Sequence, residues 1–98
     1  MKEQFEKNIR LLENVNIKYK NYNFYSTSWG GGYDQIYMFF TATDENYTPL
    51  NKYGTYNTPP LNYKIIIEKL GEKTEEEIKN LISEQITHFK KWAKEGRA

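Results

Sequence analysis

The chain has 98 residues, one domain's worth, enough to bury roughly 60–65% of the surface its unfolded form would expose. Charged residues make up 28% with a net charge of +1, which excludes a global field steering the chain to nucleic acid and the strong acidity of a DNA mimic. There is no cysteine, which excludes disulfides, thiolate metal sites and a cysteine nucleophile, and fits a reducing compartment.

The opening residues, Met-Lys-Glu-Gln-Phe-Glu-Lys, lack an apolar signal region, and no apolar run approaches the ~18 residues that span a bilayer. The expected location is the cytoplasm, without membrane contact. Lys outnumbers Arg 12 to 2, and Asn, Ile and Tyr are abundant. Their codons are AT-rich, which points to a low-GC bacterium, or a phage or mobile element living in one.

Residues 2–14 are predicted to form the first helix. Phe5, Ile9 and Leu12 fall at i, i+4 and i+7, and Leu11 widens the stripe. The opposite face carries charges of both signs. Strand material follows over about 17–29 and 33–43, joined by Gly30-Gly31-Gly32, a short glycine link that reads as a hairpin. In the first of these runs the apolar phase switches parity between Ile17/Tyr19 and Tyr22/Phe24, so a bulge or break is expected near Lys20-Asn21. The second run is apolar on both faces. Ile36, Met38, Phe40 and Ala42 are assigned to a helix-covered core, which leaves Tyr37 and Phe39 in need of cover, as in a central strand.

Residues 44–60 form a long segment containing Tyr47, Lys52, Tyr53 and Tyr56, stiffened by Pro49, Pro59 and Pro60. It reads either as a presented binding loop or as a short extra strand. A further strand is predicted over 61–70, where Tyr63, Ile65 and Ile67 alternate with Asn62, Lys64, Ile66 and Glu68 and Gly71 ends the run. Thr74 and Glu77 form a capping box that opens a helix over 74–94, with Ile78, Leu81, Ile82, Ile86, Phe89 and Trp92 on one stripe. The expected fold is a single α+β domain over 1–98, ordered α-β-β-(β)-β-α. Its three- or four-stranded antiparallel sheet carries both helices on one face.

No catalytic, metal or cofactor motif emerges. His88, the only histidine, has no orienting partner in sequence and reads as a boundary residue on the last helix. The scattered acids show no ligand spacing. The triple glycine leads into a strand, whereas phosphate cradles lead into a helix.

Tyrosine is the informative surplus. All nine lie between the helices, more aromatic bulk than a core of this size holds. Exposed tyrosine supplies rigid contact area in protein interfaces. The candidate partner-binding residues are therefore Trp29, Tyr33, Tyr37, Phe39, Tyr47, Tyr53 and Tyr56. The leading expectation is a small non-enzymatic protein that binds a larger host protein or nucleoprotein. Its concrete form would be a phage or mobile-element inhibitor of a defence nuclease, a role in which anti-CRISPR proteins are of similar size. The alternative is a single-stranded nucleic-acid binder that stacks bases on the tyrosines, with Lys18, Lys20, Lys52 and Lys64 on the backbone. A homodimer through an edge strand or the uncovered aromatic face is a further possibility.

Overall fold

The computed structural model describes residues 2–46 and 61–95. Among the described residues two helices, α1 (Lys2–Glu13) and α2 (Glu75–Glu95), enclose in sequence four strands: β1 (Asn16–Tyr19), β2 (Tyr22–Gly31), β3 (Gln35–Asp44) and β4 (Asn62–Glu68); the expected loop or extra strand of 44–60 lies, but for its first three residues, outside them. The strands form one sheet in the order β1-β2-β3-β4, every neighbouring pair antiparallel. The α+β order read from the sequence is what the chain adopts. The fourth strand, however, arises by splitting the 17–29 run. Tyr19 pairs with Tyr22 across a two-residue turn whose Lys20 has a positive φ of 55°. The parity switch is thus a hairpin, because reversing the chain restores both apolar phases to one face: Ile17 lies opposite Phe24.

A second parity change lies inside β2. The register shifts between Ser26 and Ser28, so Thr27 is an extra residue in a β-bulge. Phe24 pairs with Ala42 and Trp29 with Met38. Though five residues apart, Phe24 and Trp29 therefore point to the same face. Without the bulge Trp29 would project to the other.

The covered face carries Phe24, Ile36, Met38, Phe40, Ala42 and Ile67, all buried. Phe24 stacks between Phe40 (centroids 5.5 Å apart) and Phe89 of α2 (4.9 Å), and Tyr22 meets Trp92 edge-on. At the other end of the same face α1 docks through Phe5, Ile9 and Leu12, with Phe5 edge-on to Trp29. The Trp29 indole Nε1–H donates to the Glu13 carboxylate at 3.0 Å, and the Ser26 hydroxyl donates to the Glu13 carbonyl at 2.9 Å. β2 thereby holds the C-terminal end of α1.

β4 ends earlier than its sequence suggests. Lys69 adopts the left-handed conformation (φ 50°, ψ 49°) and turns the chain into a single 3₁₀ turn, Leu70–Glu72. The bond from the Lys69 N–H to the Asp34 carbonyl (2.9 Å) ties this turn to the β2–β3 tip. Asn8, fully buried on α1, donates to the carbonyls of Leu70 (2.8 Å) and Lys73 (2.9 Å). α2 then begins as its capping box dictates: the Thr74 N–H donates to the Glu77 carboxylate at 2.9 Å, and the Glu77 N–H donates to the Thr74 hydroxyl at 3.1 Å. These bonds hold the Glu77 carboxyl below its usual range.

Candidate functional site

The β2–β3 hairpin turns one step later than the triple glycine implies. Gly30 and Gly31 belong to β2, and the Gly32 N–H donates to the Gln35 carbonyl (3.0 Å) around Tyr33-Asp34. Gly31 has φ +106°, and a Cβ there would run into the Gln35 carbonyl oxygen, so only glycine fits. Tyr33 is presented at the tip, 61% exposed, its ring 4.8 Å from Phe5. A cleft lies on each side of it. One, of about 340 Å³, is lined by Lys2, Asp34, Lys69 and Glu72, and the other, of about 300 Å³, by Phe5, Arg10, Glu13 and Trp29.

The sheet face turned away from the helices is ordered by register. Gly30, Tyr37 and Ile66 form one row, Ser28, Phe39 and Lys64 the next, and Tyr25, Thr41 and Asn62 the third. Tyr37 is 36% and Ile66 54% exposed. Phe39 and Tyr25 are half-buried. The Tyr37 ring lies beside Gly30, whose missing side chain leaves it room. Lys64 Nζ sits 5.3 Å from the centre of that ring, a cation–π contact worth about 0.5–1 kcal/mol at an exposed site. Among the described residues Lys64 makes no ion pair. Further along, Asn23 and Thr43 are buried, and both donate to the Asp44 carbonyl. The apolar opening is thus confined to the half of the face nearest the tip.

The candidate residues fall into separate places. Trp29 and Tyr33 lie on the α1 side of the sheet, and Trp29 has cover that sequence reasoning could not assign: Phe5 and Glu13, brought to it by the bulge. Tyr37 and Phe39 share the open face with Lys64. Lys18 projects from the open face of β1 beside Asn23, two rows away from Phe39, and Lys20 sits in the β1–β2 turn. Tyr47, Lys52, Tyr53 and Tyr56 lie outside the described residues. Ile66 is absent from the candidate binding residues, although an isoleucine in phase with Asn62, Lys64 and Glu68 is the signal that finds it.

Tyr19, Tyr22 and Tyr63 serve packing. Tyr22 is buried, and Tyr19 rests edge-on against Phe89. The Tyr63 hydroxyl donates to Gln85 Oε1 at 2.9 Å, and burial pushes its pKa up to about 12. His88 is exposed on α2, its ring edge-on to Tyr63. Among the described residues no group of His, Asp and Glu could hold a metal ion, and no helix is long and apolar enough to cross a membrane. No family model, curated protein or solved structure matches the chain.

Proposed function

We propose that this chain is a small binding protein without catalytic activity that engages a larger protein through the open sheet face. An inhibitor of a host protein machine, such as a defence nuclease, carried by a phage or mobile element, is its concrete form. One observation carries the reading: Tyr37 and Ile66, 36% and 54% exposed, stand beside Phe39 on a sheet whose other face is closed by two helices. Aromatic and aliphatic side chains fixed on a rigid sheet give contact area at low entropic cost, the property of interface anchors. The composition argues for the source, and the small size suits a protein that acts by occlusion.

A single-stranded nucleic-acid site is the second reading, favoured by the placement of Lys64 over Tyr37, a cation beside a stacking surface. Two experiments separate them. Affinity capture from a low-GC bacterial lysate treated with nuclease should retain a stoichiometric protein partner. Anisotropy titrations with mixed-sequence single-stranded DNA and RNA at low salt should show no binding. Salt-sensitive binding to the oligonucleotides with no nuclease-resistant partner would overturn the protein reading in favour of the second.

A further inference from the structure

We propose that β4 is a self-pairing edge whose occupant is a second copy of this chain, aligned antiparallel about Ile66. β4 is the last strand of the sheet, and among the described residues no strand pairs with its far side. Natural edges are blunted by short length, proline, bulges, charged side chains, or a covering helix or loop, and of these β4 shows only the charges of Lys64 and Glu68 among the described residues. The opposite edge, β1, has four residues. β4 has seven, without glycine or proline, in unbroken register with β3.

The sequence of β4 supplies its own complement. Lys64-Ile65-Ile66-Ile67-Glu68 carries three isoleucines between opposite charges. Two antiparallel copies centred on Ile66 set Lys64 of each opposite Glu68 of the other, Ile65 opposite Ile67, and Ile66 opposite itself. Every pair is favourable, and both charge pairs repeat by the two-fold axis, the signature of an isologous interface. The register is specific. Moving the centre one residue toward the N-terminus sets Lys64 against Ile66, and one residue the other way sets Glu68 against Ile66. Lys64 and Glu68 are both exposed and neither has an ion pair among the described residues; the contact of Lys64 with the Tyr37 ring, 5.3 Å to its centre, is the one interaction the new pair would compete with. A cleft of about 350 Å³ between β4 and α2, lined by Ile66, Ile67 and Leu81 but also by Lys73, Glu77 and Glu84, leaves the flank of this strand open. The paired sheets would run on as one, and the Tyr37–Ile66 row of one copy would continue into that of the other. This pairing does not depend on the proposed function.

Sedimentation equilibrium from about 1 μM to about 1 mM, the span of weak to moderate association, tests it. The expected mass at high concentration is twice the 11.7 kDa of the single chain. Lys64→Glu and Glu68→Lys each convert both charge pairs into like-charge pairs, and each should weaken dimerisation at least about tenfold. The double reversal, Lys64→Glu with Glu68→Lys, restores every pair and should return the constant to within about threefold of wild type. Both side chains are exposed, so circular dichroism should not change. A monomer over the whole range, a dimer that single reversals leave unaltered, or a double reversal that fails to rescue would each overturn the proposal.

Discussion

Both faces of the sheet carry aromatic and isoleucine side chains, and these end in opposite situations. On the covered face Phe24, Phe40 and Phe89 stack into a closed column, and α1 and α2 seal it. On the open face Tyr37 and Ile66 stand in solvent with Lys64 above the ring. Burial converts aromatic area into stability at about 25 cal/mol per Å², whereas exposed area leaves that free energy to be realised on contact with something else. The first face should therefore be sensitive to truncation and the second tolerant of it.

Phe24→Ala should break the covered face. Phe24 has no exposed surface and touches both β3 and α2, so the loss should be about 3–5 kcal/mol, read as a fall in the urea midpoint or outright unfolding. Asn8→Ala should come next. It leaves the Leu70 and Lys73 carbonyls without their buried donor, at a cost of about 1–3 kcal/mol, and should loosen the contact between α1 and the turn after β4.

A pH series sharpens the comparison. Tyr63 titrates from 10.0 in the unfolded chain to about 12 in the fold because burial disfavours the phenolate. The folded state thus holds its proton over a window in which the unfolded state loses it. The stability is whole below pH 10 and should fall as pH rises toward 12, a dependence that Tyr63→Phe should reduce. On the open face, by contrast, Tyr37→Thr with Phe39→Thr keeps strand propensity and should cost about 1 kcal/mol or less per site.

The α+β order was legible because its signals are local. The stripe of Phe5, Ile9 and Leu12, the Thr74–Glu77 box and the alternation through Ile65 and Ile67 each report their own element. What could not be read depends on backbone choices that no single residue announces. The parity switch marks a break at Lys20-Asn21 but not that the break is a hairpin, and Lys69 enters positive φ where glycine or asparagine would have marked the turn. The bulge at Thr27 carries no glycine or proline, yet it decides which face receives Trp29. The triple glycine correctly marked a hairpin, but its conformational demand falls on Gly31, and the turn itself uses Tyr33 and Asp34. Tyr37 and Phe39 were seen to need cover. The phase of Ile66 puts it on the polar side of its strand, but that it stands in one row with Tyr37 follows only from the pairing of β3 with β4.

The most direct test of a face kept for contact is affinity capture with the Tyr37→Thr/Phe39→Thr variant, measured beside its urea unfolding curve. The account predicts that the nuclease-resistant partner held by wild type is lost while the variant stays folded. Undiminished capture by a folded variant would contradict it.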